Sequence, residues 1–535
     1  MTATLDRPVD TEPDRPGWRD RLQPLATGTG GWVVTMAITL LAGLLRFIRL
    51  DQPATTLTSK GVAVGPGQIF DELYYACDAQ SLVRFGVEHS APNPGDTASF
   101  CQLQSTGAFV VHPPVGKWLI GAGEQLFGFN TFGWRFASAL FGTLTVLLVI
   151  RIGRRMTGST LLGGLAGLLL TLDGLHFVQS RIATLDVFLT FFTTAMFGAL
   201  LVDRDRIRQR LAAATEEDLA AGGRLGWRPW RLLAGVLFGL GLATKWSMLY
   251  PGLVMLVLML FWETSARRAA GYRTPWRTTL RRTTAPFVGV MLVLPVVLYI
   301  GTWAGWFASS SGYDRHWVEG RGTRDTVVVA HATSWPVPTV LRNLWHYHVQ
   351  IWGFHNNLDA KHPYQSHPLS WLVLQRPVSY YYPPGIKLGV YGCTDARGCS
   401  REVLAIGTPA IWWMIIPLAI ALAFRWAAKR DWASAALLLL AAVSILAWVP
   451  SDLHDRTMFL FYALPSIPFV CLGLALVAGW LLGPPGSTRR VWGSAGVGVY
   501  TSLVALNFWW LYPVLAAVTL PYTDWHARMW FSSWI

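Results

Sequence analysis

The chain has 535 residues, 52% of them apolar and only 14% charged, where about 25% charged is usual in soluble domains. It carries 28 Trp and a net charge of +14, from 44 Lys and Arg against 30 Asp and Glu. This composition excludes disorder, a coiled coil and a collagen-like array as the main architecture, and it argues against a soluble cytosolic enzyme. The basic excess clusters in short loops between apolar runs, which fits a membrane face and not nucleic acid.

Residues 1–31 are polar with mixed charge and read as a flexible cytoplasmic tail. They lack the apolar core and small-residue cleavage site of a signal peptide, so the first apolar run is expected to be an uncleaved anchor. About twenty apolar residues span a bilayer. Eleven candidate spans follow, at about 32–48, 132–150, 157–175, 184–202, 232–245, 247–262, 285–303, 406–424, 433–449, 457–482 and 494–516. The expected fold is an all-α polytopic membrane protein, one transmembrane domain over 32–535. With the N-terminus inside, the inner segments 1–31, 151–156, 203–231, 263–284, 425–432 and 483–493 hold 25 Lys and Arg in about 107 residues. The largest outer loop, 304–405, holds 9 in about 100. That asymmetry gives N-in, C-out.

Two outer loops, about 49–131 and 304–405, are too long to be connectors and are expected to carry function and interfacial helices. Cys77 and Cys101 fall in the first and Cys393 and Cys399 in the second. On an oxidising face they are two candidate disulfides, and no CxxC spacing favours a metal. In the first loop, Phe70-Asp71-Glu72-Leu73-Tyr74-Tyr75 places two adjacent carboxylates in a chain poor in acids. They are either a helix-capping pair or a general base towards a hydroxyl. His112-Pro113-Pro114-Val115-Gly116-Lys117 forces an extended approach to a helix. Arg135, opening the second span, either snorkels or holds a lipid phosphate. Arg181 and Asp186 flank the fourth span, where ionisable groups are costly and read as functional or as a structural pair. Lys245 and Arg456 sit at the outer ends of other spans. Scattered cations with one acidic pair suit an anionic lipid headgroup and a base-activated acceptor, and also plain interfacial anchoring. His346, His348, His355, His362 and His367 match no strong ligand pattern, so loop packing and sugar or peptide contacts are preferred and no metal or other cofactor is required. No Gly-rich nucleotide-binding fingerprint is present.

Six stretches carry a resemblance: Phe70-Asp71-Glu72, His112–Lys117, Trp134-Arg135 to Gly142, Ser180-Arg181 to Asp186, Gly241 to Lys245-Trp246, and His362 to Pro368 followed by Arg376 to Tyr382. In this order, over about residues 35–530, the chain resembles the bacterial, actinobacterial-type protein O-mannosyltransferases of the glycosyltransferase-C superfamily. The resemblance implies an eleven-span enzyme of the plasma membrane with its site on the extracytoplasmic face. It implies a polyprenyl-phosphate-mannose donor, and as acceptors Ser and Thr hydroxyls of exported proteins, met at the Sec translocon. Asp71 matches the family's catalytic Asp, with Glu72 its partner. Arg135 matches an Arg needed for activity and is assigned to the donor phosphate, with Arg181, Lys245 and Arg456 as further cations for the donor. His112, Lys117, Asp186 and Tyr462 carry over as structural or substrate contacts. The chain departs from eukaryotic members in two places. Its second loop is too short for their β-trefoil domain, and Tyr462 stands near the position of a His. Two alternatives remain: another polyprenyl-phosphate-sugar transferase acting on glycolipid or cell-wall glycan, and a transporter. Against a transporter, there is no internal repeat and the polar groups gather on one face.

Overall fold

In lipid, a backbone must satisfy its own N–H and C=O groups, so the apolar runs become helices. The computed structural model describes residues 29–57, 63–91, 100–215, 226–320, 337–383, 385–452, 454–483 and 487–535. All but the last three residues of the expected tail lie outside these ranges. The first long helix is α1 (Thr29–Phe47), followed in the first outer loop by α2 (Glu72–Phe85) and α3 (Val115–Phe127). Then come α4 (Thr131–Thr157), α5 (Thr160–Thr171), α6 (Asp186–Ala212), α7 (Pro229–Leu242), α8 (Leu249–Ala269) and α9 (Pro275–Val288). The second loop holds α10 (Thr339–Asn356), and the last spans use α11 (Ile415–Lys429), α12 (Trp432–Leu446), α13 (Ile467–Leu482) and α14 (Thr488–Leu515).

Among the described residues, nine helical stretches are long and apolar enough to cross a membrane. The chain is a multi-pass membrane protein. The third and fifth expected spans fall on α5 and α7, which are apolar but only 12 and 14 residues long. At 1.5 Å per residue they reach roughly 20 Å, short of the ~30 Å hydrocarbon core. Several helices exceed their expected bounds, two of them by about ten residues. The seventh span begins at Pro275, about ten residues before the apolar run, because its Arg-rich first half continues the same helix. α6 likewise runs on to Ala212 through a charged last turn.

Apolar burial does not drive helix association inside lipid; close backbone approach and polar pairs do. α7 shows this. A Cβ on Gly235 would meet the Val290 carbonyl oxygen at 2.2 Å, and one on Gly239 the Pro295 Cα at 2.9 Å. These two glycines, four apart, let α7 lie directly on the Gly289–Gly301 segment. The far ends of α6, α7, α8 and α9 are joined by buried charge. Glu263 receives Arg231 at 2.6 Å, Arg228 at 2.9 Å and Arg267 at 3.3 Å, and Thr283 also donates to it.

The second loop behaves as an interfacial segment. α10 buries Leu344, Tyr347 and Ile351 against Trp303, Trp306 and Tyr313, and exposes Trp345, Val349 and Trp352. The described strands of this loop are two to four residues long, among them Val378–Tyr381 paired antiparallel with Val403–Ala405. Cys393 and Cys399 are disulfide-bonded with Cα atoms 5.7 Å apart. The other expected disulfide is corrected: Cys77 and Cys101 are free thiols. Cys101, in left-handed backbone (φ 62°), lies close to the buried Cys77 thiol without a disulfide bond to it.

Candidate active site

The N-termini of α4, α6 and the Trp246–Ala269 stretch, together with the segment before α13, meet the first outer loop on one face. Asp71 stands at the N-cap of α2 and makes no side-chain cap hydrogen bond there. The residue before it, Phe70, is in left-handed backbone (φ 50°), a strained conformation for an aromatic residue. Its ring is wedged against Tyr380 (centroids 4.6 Å apart), Phe461 (5.8 Å) and Phe459 (6.0 Å), which hold the turn. Asp71 is half-buried. Burial raises its pKa to about 6; Lys245 works against the rise and Asp186 adds to it.

Glu72 is directed the other way and is fully buried. Its Oε1 and Oε2 take Arg135 Nε and Nη2, both at 2.8 Å. They also accept the Ala183 N–H at 2.9 Å and the Ile69 N–H at 3.0 Å. Arg135 spends its remaining donors on the carbonyls of Gly67 (2.7 Å), Leu50 (3.2 Å) and Pro53 (3.4 Å). The assignment of Arg135 to a donor phosphate is therefore corrected: its whole fork is engaged inside the protein. The pair ties α2, α4, the end of α1 and the turn before α6 into one unit. These contacts fix the backbone next to Asp71.

Arg181 is corrected in the same way. Its Nη1 and Nη2 donate to the carbonyls of Arg46 (2.8 Å), Ile48 (2.7 Å) and Arg49 (2.7 Å), capping the open C-terminal end of α1. The Arg181–Asp186 structural pair, one of the two readings open from the sequence, does not form. Asp186, in the first turn of α6, instead takes Lys245 Nζ at 2.9 Å on both oxygens. Lys245 Nζ also lies 4.9 Å from the centre of the Tyr462 ring. Lys117, remote from this pair, is buried between Glu88 and Asp78 and holds α2 to α3.

Arg456 differs. Its Nε donates to the His355 carbonyl at 2.9 Å and its guanidinium lies over Trp448 and Tyr462. Its Nη1 is buried with no partner. Among the described residues it is the only one of the four expected donor cations with such an open, buried donor. His112 packs 5.1 Å from His355 and 6.3 Å from Tyr75. Burial first, then the nearby Lys245, His355, Lys117 and Arg456, hold its pKa well below the usual imidazole value. Neutral His112 and His355 thus line a cationic pocket without adding charge.

Tyr75 and Tyr380 were given no role at this site by the sequence, and His355, read there as a packing or sugar contact, lies beside His112. Tyr75 and Tyr380 both lie within electrostatic reach of Asp71, Asp186 and Tyr462. Tyr380 is oriented by Gln179 at 2.6 Å, which is itself held by Thr184 at 2.6 Å. Their signal was the aromatic runs at 74–75 and 380–382, which look like interfacial belts. The other His residues have local partners: His346 with Asp314, His348 with Tyr299, His367 with Asp452, and His362 against Phe459.

Residues 94–307 match the family described as dolichyl-phosphate-mannose-protein mannosyltransferase, and residues 340–534 match the C-terminal four-transmembrane region of protein O-mannosyltransferase. The chain is 41% identical to the polyprenol-phosphate-mannose–protein mannosyltransferase of Mycobacterium tuberculosis, over 94% of this chain and 92% of that one. It is 34% identical to the Corynebacterium glutamicum protein of the same name, over 90% and 91%. The fold matches the S. cerevisiae protein O-mannosyltransferase Pmt1–Pmt2 complex bound to the sugar donor, with TM-score 0.69, 15% identity, and 95% and 93% coverage. The architecture is the glycosyltransferase-C fold, and the chain belongs to the polyprenol-phosphate-mannose–protein mannosyltransferase family.

Proposed function

We propose that the protein transfers mannose from polyprenol-phosphate-mannose to Ser and Thr hydroxyls of exported proteins by a single inverting displacement. The observation that carries this reading is a carboxylate with raised pKa, Asp71, within the field of Lys245, which shares the Tyr462 ring with Arg456, a guanidinium with an unpartnered buried donor. Asp71 takes the proton of the acceptor hydroxyl as its oxygen attacks the anomeric carbon. The bond from that carbon to the phosphate oxygen breaks on the opposite side, and the phosphate stays on the polyprenol. Arg456 donates to the phosphate as its charge grows, and Lys245 adds a fixed positive field while Asp186 holds it in place. A phosphate ester leaves without being protonated, so the step requires no metal. The positive-inside asymmetry turns the site to the extracytoplasmic side of the plasma membrane, where exported chains emerge from the Sec translocon.

The test is transfer in isolated membranes. Radiolabelled mannose loaded on the polyprenol moves to protein, and base-labile Ser/Thr glycosides appear. Label that stays on lipid, or moves to glycan, contradicts the reading. Three further outcomes follow from the geometry. Arg456→Gln lowers kcat by roughly 10²–10³-fold with only a small drop in melting temperature, because it removes the phosphate's donor together with one carbonyl hydrogen bond and two ring contacts. A chelator leaves the rate unchanged. The kcat/KM profile has an acid limb near pH 6: Asp71 must be ionised to act, so activity is full well above that pKa and falls as the pH drops through it. A limb near pH 4 would mean a different base.

A further inference from the structure

On the face opposite Asp71, around the α8–α9 turn, two sets of arginines differ. Arg228, Arg231 and Arg267 are neutralised by Glu263 and Asp203. Arg268, Arg273 and Arg277 make no ion pair among the described residues. These three converge, with Tyr272 and Trp276, on one open cavity of about 430 Å³ at the turn between α8 and α9. No acidic side chain lines it. α9 starts in the cavity wall with Pro275 at its first position and no side-chain cap from Thr274. Its first-turn N–H groups, those of Trp276 and Arg277, therefore have no intrahelical acceptor.

An apolar seam continues from the cavity along the two helices. Trp276 meets Phe261 edge-on with ring centres 5.2 Å apart. Val257 and Phe261 on α8, and Trp276 and Leu280 on α9, are each four residues apart and exposed, at 51, 55, 39 and 52%. Three unpaired cations at the top of an apolar groove, with a Trp at the boundary, form an amphiphilic receptor.

We propose that this cavity binds the headgroup of an anionic phospholipid in the leaflet opposite the active site, with its acyl chains in the Val257–Phe261–Trp276–Leu280 seam. Guanidinium forks suit phosphate oxygens, and basic pockets between helices at a membrane face take anionic headgroups. Trp276 sits where aromatic side chains prefer to lie, at headgroup depth. A free phosphate would satisfy the arginines and leave the seam bare; a lipid fills both. The bound lipid braces the α8–α9 turn, at the far end of the Trp246–Ala269 stretch from Lys245. The inference stands on this surface alone and is independent of the mannosyltransferase reading.

The experiment is native mass spectrometry of the purified full-length chain in detergent, titrated with phosphatidylglycerol, phosphatidylcholine or inorganic phosphate. No sugar donor is present, so the result does not depend on catalysis. The expected result is at least tenfold tighter retention of one phosphatidylglycerol than of phosphatidylcholine. The variant R268Q/R273Q/R277Q abolishes that preference and keeps the melting temperature, since these side chains are exposed and unpaired. Arg273→Gln alone, as the milder change, weakens it about threefold. The control R489Q/R490Q removes charge elsewhere on the same face and leaves it intact. Equal retention of both lipids overturns the proposal. So does equal loss in the control variant, which would mean diffuse surface charge, or saturation by inorganic phosphate that displaces the lipid.

Discussion

Asp71→Asn lowers kcat by roughly 10²–10⁴-fold, the range expected for losing a general base, and leaves the protein folded. The rate loss follows because an amide cannot take the acceptor proton, while nothing else in the pocket is both acidic and uncommitted: Asp186 is clamped on both oxygens by Lys245. Stability is spared for a physical reason. Asp71 contributes no side-chain cap to α2, and its raised pKa shows that burial disfavours its ionised form. Asn removes that penalty and keeps the shape. Donor binding, read as KM for polyprenol-phosphate-mannose, is expected to change little. The check is a membrane transfer assay beside a thermal melt of the same preparation. Near-normal mannosylation by the variant would remove Asp71 as the base.

Arg135→Met has the opposite signature. It leaves Glu72 charged and fully buried with two backbone N–H groups as its only partners, and it orphans the carbonyls of Gly67, Leu50 and Pro53. Breaking a buried pair from one side costs about 3–5 kcal/mol, so the variant loses melting temperature and yield. Arg135→Lys does not rescue it, since a point charge cannot replace a fork with five donors in fixed directions. Activity falls because the Asp71 turn is released, not because the donor is held less well. Donor KM in the fraction that remains folded stays near the wild-type value. A stable Arg135→Met protein with a greatly raised donor KM would restore Arg135 to the phosphate.

The multi-pass character was legible because span length and apolarity are local properties of the chain, whereas the short α5 and α7 depart from two of the eleven expected spans. Asp71 and Glu72 stood out as adjacent carboxylates in a chain poor in acids, and the family resemblance, not their spacing, singled out Asp71. The roles of the cations were not legible. An Arg at the mouth of a helix looks the same in sequence whether it faces a lipid phosphate or the protein interior. What decides is distant: Arg135 meets a carboxylate 63 residues away, and Arg181 caps a helix that ends more than 130 residues earlier. Arg181 and Asp186 are close in sequence, yet they part because the turn into α6 sends one to α1 and the other to Lys245. Cys77 and Cys101 show the same limit. Spacing and compartment allow a bond, and the two thiols nevertheless stay free.

The most direct measurement is a cryo-EM structure of the wild-type protein with an unreactive phosphonate analogue of the mannosyl donor. The account predicts a phosphonate oxygen within about 3 Å of Arg456 Nη1, hydrogen-bonding distance, and the anomeric carbon facing Asp71 with room for a hydroxyl between them. Arg135 should still be gripping Glu72. A phosphonate seated on Arg135 or Arg181, or a sugar out of reach of Asp71, would contradict it.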